Sequence, residues 1–205
     1  MLLFSAFMVG ALHALAPDHW VPFAALSKAR NWSARKAALV TFLSGIVHVA
    51  SSLAIGLAGI FLQKSLADVT SWEGLRGEWF SVLLISFGLT YMLWNIKQSN
   101  KKKTEAMDPR QDEVAYWSYF AIFVLGPCEP LIPFLFLSTE NGAAQMIPVV
   151  LCFSAATLAV MSAAAFLAVS TMDRIKLPGS FVLNPGAAAG ATIAVTGLVV
   201  RILGI

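Results

Sequence analysis

The chain has 205 residues, of which 58% are hydrophobic and only 12% are charged. Soluble domains carry about 45–50% apolar and about 25% charged residues, so this composition excludes an ordinary soluble domain. With a mean hydropathy of +0.75, the apolar surface requires lipid around it. The 2 cysteines exclude a disulfide scaffold, and the net charge of +3 gives no indication of nucleic-acid binding.

Long stretches without Asp, Glu, Lys or Arg mark the predicted membrane spans, because a tilted transmembrane helix needs about 17–25 residues. Two of these stretches contain one acidic residue each, Asp18 and Glu129. In chain order the stretches cover residues 1–27, 37–63, 79–96, 115–139, 141–172 and 177–200. The sequence therefore predicts an all-α membrane protein with six transmembrane helices.

The distribution of basic residues predicts the orientation of these helices. An even number of spans places both termini on one side of the membrane. If that side is the outside, every Lys and Arg except Lys64, Arg76 and Arg201 falls in an inner loop. Because inner loops carry an excess of positive charge, we expect both termini to lie outside.

Two proline-containing segments indicate an internal repeat. Residues 15–23 read LAPDHWVPF, and residues 125–134 read LGPCEPLIPF. The alignment pairs Pro17 with Pro127, Pro22 with Pro133, and Asp18-His19 with Cys128-Glu129. Weaker matches place His48 opposite Cys152 and Gly88 opposite Gly197.

Three helices in each half make the second half enter the membrane from the opposite side, which is the inverted-repeat plan of many secondary transporters. The predicted boundaries are a first repeat at 1–97, a cytoplasmic linker at 98–113, and a second repeat at 114–205. The first helix of each half is predicted to break at its prolines, because proline removes a backbone donor and clashes with the preceding turn. The predicted helix breaks lie at Pro17, Pro22, Pro127, Pro130 and Pro133.

Freed backbone groups are tolerated in the membrane only where protein or a wet cavity covers them, so the two breaks predict a polar cavity. The alternative is a simple kink relieved by neighbouring helices. Ionisable groups and cysteines cluster at the same predicted depth, near the middle of a core about 30 Å thick. They are His13, Asp18, His19, His48, Cys128, Glu129 and Cys152. Because such groups are costly in hydrocarbon, a functional site is the expected explanation.

In an unbroken helix, His13 and His19 lie about 240° apart around the axis and cannot share a ligand. They converge only if Pro17 unwinds the segment 14–19. Imidazole together with carboxylate suits nickel, cobalt, zinc or copper ions, and a thiolate from Cys128 or Cys152 shifts the preference to softer metals. The alternatives are histidines that bridge helices by hydrogen bonds and cysteines that pack as small apolar residues.

The segment His13-Ala-Leu-Ala-Pro-Asp18-His19 has the spacing His, four residues, Asp-His. It resembles the signature helix of the nickel/cobalt transporter family and of related urease-accessory-type transmembrane proteins. The resemblance implies that His13, Asp18 and His19 bind the transported metal, and that His48 belongs to the second histidine-bearing helix of the family. The chain lacks the histidine-rich loop and the additional helices of larger members.

The segment Gly126-Pro127-Cys128-Glu129-Pro130 resembles the proline-flanked cysteines of transmembrane thiol–disulfide carriers of cytochrome c biogenesis. Such a carrier needs a reactive cysteine pair. The first-half counterpart of Cys128 is Asp18, so the pair is incomplete unless Cys152 replaces it. An exporter of sulfur oxyanions is a third alternative, for which no Lys or Arg is predicted near the middle of the membrane.

The leading hypothesis is a secondary transporter, permease or exporter, of a divalent transition-metal cation, with nickel or cobalt as the expected substrate. His13, Asp18, His19 and His48 are the predicted metal ligands, and Cys128, Glu129 and Cys152 are the candidates from the second half. No enzymatic activity and no cofactor beyond the transported ion are expected. The expected partners are the metal ion and the lipid bilayer of a bacterial inner membrane, with no nucleic acid and with homo-oligomer formation left open.

Overall fold

The computed structural model describes residues 1–101, 117–123, 126–140, 143–174 and 184–204, and every regular element in these ranges is helical. The all-α prediction is therefore confirmed for the described part of the chain. The helices are α1 (Leu2–Ala14), α2 (Val21–Ala29), α3 (Ala34–Phe61), α4 (Leu66–Lys101), α5 (117–123), α6 (Leu131–Glu140), α7 (Ala143–Arg174) and α8 (Pro185–Leu203). Most of the predicted linker at 98–113 lies outside the described residues.

Among the described residues, 4 helical segments are long and apolar enough to cross a membrane. They are Ala34–Phe61, Leu66–Gln98, Ala144–Met172 and Pro185–Leu203. These segments correspond to the second, third, fifth and sixth predicted spans. The first predicted span is divided into α1 and α2, and the described part of the fourth is divided into α5 and α6. The chain is therefore an integral membrane protein by helix length and composition, and the count of six crossings stays a prediction.

Helix α4 begins at Leu66, well before the predicted start of the third span at residue 79. Ser65 and Asp68 stabilise this start, because the Asp68 carboxylate accepts from the Ser65 backbone at 3.2 Å and the Ser65 hydroxyl accepts from the Asp68 backbone at 3.2 Å. The predicted start of the third span at residue 79 left Arg76 between spans. In the structure Arg76 lies within α4 and pairs with Glu73 on the same helix.

Helices α4 and α8 pack against each other in antiparallel register through glycines. A Cβ atom at Gly88 would collide with the backbone of Ala194, and one at Gly190 would collide with the backbone of Met92. Toward the other end of α8, a Cβ atom at Gly197 would lie 2.9 Å from the Ile85 backbone nitrogen. Only glycine at these positions allows the two backbones to approach so closely.

Helix α1 packs against α7 in the same way. A Cβ atom at Gly10 would lie 2.7 Å from the Phe153 carbonyl oxygen, and the Thr157 hydroxyl donates to the Gly10 carbonyl at 3.2 Å. The packing fixes the end of α1, where the candidate site begins.

The outer faces of the helices expose large apolar side chains, including Phe4 at 71% and Trp79 at 67%. Such surfaces are typical of contact with lipid.

Candidate metal site

The first half of the chain contains a break between α1 and α2. Helix α1 ends at Ala14, a single 3-10 turn covers Pro17–His19, and α2 begins at Val21. Pro17 opens the short turn and Pro22 lies in the first turn of α2, which are positions where the missing backbone donor costs no helical hydrogen bond. The Trp20 indole donates to the Leu15 carbonyl at 3.2 Å, so one acceptor freed by the break is satisfied.

The second half contains a break between α5 and α6. Residues 126–130 are non-helical, and Pro127 and Pro130 lie within them, while Pro133 lies in the first turn of α6. The Cys128 carbonyl accepts from the Leu131 backbone at 3.0 Å, which caps the start of α6. Both breaks thus occur at the aligned proline segments, and each carries one of the predicted polar pairs.

The histidines of the chain lie together at the first break. The ring centroids of His13 and His19 are 4.4 Å apart, those of His19 and His48 are 5.2 Å apart, and those of His13 and His48 are 6.4 Å apart. His13 comes from the last turn of α1, His19 from the 3-10 turn, and His48 from the middle of α3. His19 and His48 are each only 1% exposed. The unwinding after Ala14 allows His13 and His19 to meet, as the spacing argument required.

Each of the three imidazoles presents a free nitrogen in this cluster. The Nε2 atoms of His13, His19 and His48 are buried and have no hydrogen-bond partner among the described residues. Asp18 accepts from His19 Nδ1 at 3.0 Å, and the Phe123 carbonyl lies 3.5 Å from His48 Nδ1. Because carboxylates and carbonyls can only accept, these contacts favour a proton on Nδ1 and leave a lone pair on Nε2, as in metal-ligating histidines.

The thiol of Cys128 joins the histidines from the second half. One ligand atom each from His13, His48 and Cys128 lie within 4.8 Å of one another, and Cys128 is 0% exposed. A metal such as zinc holds nitrogen at about 2.0–2.1 Å and sulfur at about 2.3 Å, so a nitrogen and a sulfur ligand of one ion are at most about 4.4 Å apart. The spacing is therefore close to the span of a single transition-metal ion, and the mixed nitrogen and sulfur donors suit the same class of ion.

Aromatic side chains of the second half enclose the cluster. The Phe123 ring stacks on His48 with centroids 4.9 Å apart, and its centroid is 6.3 Å from that of His19. The Phe153 centroid lies 6.4 Å from that of His13. The imidazoles of His19 and His48 are buried beside the Phe123 ring and that of His13 is partly buried, and burial strengthens the electrostatic attraction between ligands and a cation. The cluster therefore lies where the two halves of the chain meet.

Two of the predicted second-half residues do not join the cluster. Glu129 is exposed, and its Oε1 atom faces Gly77 of α4. Cys152 donates from its sulfur to the Leu3 carbonyl at 3.4 Å, at the start of α1, whereas His13 lies ten residues further along, about 15 Å away along the helix. Cys128 and Cys152 are both free and lie in different surroundings, so the geometry gives the thiol–disulfide alternative no support.

A buried charged pair that was not predicted from the sequence lies beside the second break. Glu73 is 0% exposed and pairs with Arg76, whose side chain is 17% exposed. Arg76 also donates to the Gly126 carbonyl at 3.2 Å, so an arginine does lie beside the break, contrary to the sequence argument against an oxyanion exporter. Because Glu73 neutralises it, this arginine gives no net positive site for an anion. The signal that identifies the pair is the i, i+3 spacing of opposite charges within an apolar helix.

Comparison with known proteins matches the part of the chain that contains the histidines to one family. The model of the NicO family, described as high-affinity nickel-transport protein, matches residues 1–119, which is more than half of the chain and contains all of its histidines. No curated protein and no solved structure matches the chain. The resemblance stated from the His13–His19 signature is therefore confirmed, and the chain belongs to the NicO family of high-affinity nickel-transport proteins.

Proposed function

We propose that the protein is a secondary transporter, permease or exporter, of a divalent transition-metal cation, with nickel or cobalt as the substrate. The observation that carries this proposal is the clustering of three histidine rings at the break between α1 and α2, each with a buried Nε2 atom that has no partner among the described residues. Buried polar atoms are almost always paired, and three unpaired ones at one place call for a bound species. A cation fits, because the Nδ1 contacts leave a lone pair on Nε2 of His19 and His48, and any neutral imidazole, that of His13 included, has one nitrogen with a lone pair.

The donor chemistry supports a transition metal over magnesium or calcium. Those hard cations prefer sets of oxygen ligands, whereas imidazole nitrogen suits nickel, cobalt, zinc and copper. In this proposal His13 and His48 bind the ion directly. His19 adds a third imidazole, and Asp18 orients it through the hydrogen bond to Nδ1. The family match to nickel-transport proteins favours nickel among these ions.

The proposed architecture is two inverted three-helix repeats around this site. Helices α4 and α8, the third helices of the two predicted halves, pack antiparallel, as an inverted repeat requires and a parallel repeat does not. The aligned glycines support the same relation, since Gly88 packs against α8 and Gly197 packs against α4. In such transporters broken helices form the substrate site, and one half rocks against the other to open it to alternate sides.

The proposed location is a bacterial inner membrane with both termini outside. The placement of Arg76 within α4 removes one of the three basic residues that opposed this orientation. The ion would bind between the histidines of the first half and the second-half segment that carries Phe123 and Cys128.

The test is nickel uptake by proteoliposomes that contain the purified protein, with His13→Ala and His19→Ala as the variants. We expect each variant to abolish nickel transport while it remains folded in the membrane, because each removes an imidazole from the cluster. Cys152→Ser is the matched control, since its sulfur contacts the start of α1, and it should transport at the rate of the unchanged protein. Normal transport by both histidine variants would remove the metal hypothesis.

A further inference from the structure

A hydrogen-bonded network connects the first half of the chain to the break in the second half. The Ser52 hydroxyl donates to Glu73 Oε2 at 3.1 Å, and Arg76 donates to the same hydroxyl at 3.1 Å. Arg76 also donates to the Ser51 hydroxyl at 2.9 Å and to the Gly126 carbonyl at 3.2 Å. Ser52 and Glu73 are each 0% exposed, so a charged pair is held within the interior of the protein.

The network ends at the backbone of Cys128. The Cys128 backbone nitrogen donates to the Ser52 hydroxyl at 3.0 Å, and Arg76 holds the carbonyl two residues earlier, at Gly126. Two contacts from α3 and α4 therefore fix the backbone on the N-terminal side of the thiol. Ser52 lies one helical turn beyond His48 on α3, so the same helix carries an imidazole of the site and the acceptor that holds Cys128.

A buried ion pair is costly unless its geometry is good and its remaining hydrogen bonds are made. Apolar side chains of similar volume would stabilise the protein interior equally well, so stability alone does not explain the network. Here the pair makes contacts across the halves that place a sulfur atom within 4.8 Å of ligand nitrogens of His13 and His48. The unpartnered Nε2 atoms of those histidines indicate that the sulfur and the imidazoles face the same ligand.

We propose that Cys128 supplies a sulfur ligand to the transported cation and that the Glu73–Arg76 pair, through Ser52 and Gly126, is the positioning device that holds it there. This inference rests on the metal-transport function proposed above. On binding, the thiol releases its proton to water and the thiolate sulfur bonds to the metal. The substrate class is then a divalent cation that accepts nitrogen and thiolate ligands together, such as nickel, cobalt or zinc, and excludes magnesium, calcium and manganese.

The experiment uses Co²⁺ and the purified full-length chain, because cobalt–thiolate bonds give a charge-transfer band in the near ultraviolet and imidazole ligation gives visible bands. We expect both sets of bands in the unchanged protein. Cys128→Ser should lose the ultraviolet band and keep the visible bands. Cys152→Ser is the matched control and should keep both. Visible bands without the ultraviolet band in the unchanged protein would overturn the sulfur ligand and leave the proposed function standing. Absence of cobalt binding together with absence of nickel transport would overturn the proposed function itself.

The positioning role is tested by Arg76→Met and by the milder pair Ser52→Ala and Ser52→Thr. Removal of residues that orient ligands lowers metal affinity by about 10–100-fold, so we expect this loss in Arg76→Met and Ser52→Ala, together with a weaker ultraviolet band. Ser52→Thr keeps the hydroxyl and should keep the ultraviolet band. If the network had only a structural role, the band would not depend on whether residue 52 carries a hydroxyl. If Arg76→Met fails to fold, the comparison at Ser52 decides. An undiminished band in Ser52→Ala would overturn the positioning role.

Discussion

The buried pair of Glu73 and Arg76 leads to a quantitative prediction for stability. Removal of one partner from a buried ion pair costs about 3–5 kcal/mol, because the other charge is left without compensation. In Glu73→Gln the Arg76 guanidinium keeps its acceptors at Ser51 and Gly126, and its side chain is 17% exposed. We therefore expect the lower end of that range, about 3 kcal/mol, or roughly a hundredfold in the unfolding equilibrium.

Thermal unfolding of the purified protein in detergent measures this loss. For a chain of this size, 1 kcal/mol shifts the Tm by about 2–4 °C, so Glu73→Gln should lower the Tm by about 6–12 °C. The double variant Glu73→Gln with Arg76→Met leaves no uncompensated charge. It should therefore be more stable than Glu73→Gln alone, although it contains one more substitution.

Arg201→Met is the matched control for the loss of one arginine. Arg201 is exposed, and its guanidinium donates to the Ser81 hydroxyl at 3.5 Å. Exposed substitutions change stability by about 0.5 kcal/mol or less, which is at most about 2 °C here. A Tm of Glu73→Gln equal to that of this control would refute the reasoning. So would a double variant whose loss equals the sum of the two single losses, because the pair would then carry no coupling.

Three further predictions concern packing, redox chemistry and the metal. Gly10→Ala should lower the Tm, because its Cβ would lie 2.7 Å from the Phe153 carbonyl oxygen. At Gly74 a Cβ atom meets nothing within 4 Å, so Gly74→Ala should gain up to about 1 kcal/mol of helix stability. Cys152→Ser should retain nickel uptake under reducing and oxidising conditions. A loss of nickel uptake in this variant would favour the thiol–disulfide carrier hypothesis again. In a thermal-shift assay, nickel at about 100 times its Kd should stabilise the protein by about 2.7 kcal/mol. Removal of the nickel with EDTA should reverse this stabilisation, and His48→Ala should abolish it.

The helices and the first-half site could be predicted from the sequence because they depend on local signals. Apolar length marks α3, α7 and α8, and Pro17 marks the break that brings His13 and His19 together. The spacing of these two histidines is incompatible with a shared ligand in a continuous helix. A shared metal site therefore requires a helix break between them, and Pro17 supplies that break. His48 required only its position near the middle of an apolar stretch.

The remaining features depend on tertiary packing and were not accessible to the same reasoning. Arg76 was left between the second and third predicted spans, because a charge in isolation interrupts an apolar stretch, and Glu73 was not singled out. Their pairing on one helix face removes that penalty. Cys152 was assigned to the depth of the site by counting residues from a span end. The count ignores where α7 meets α1, and the contact with Leu3 places the sulfur at the far end of that helix from His13.

The contact between α4 and α8 has a mechanical consequence. At Gly88 and Gly190 the two backbones touch with no side chain between them. Interlocked main chains cannot slide along each other by exchanging rotamers, as helices separated by flexible side chains can. We therefore expect any change in the angle between α4 and α8 to pivot at this contact, with the largest displacement farthest from it.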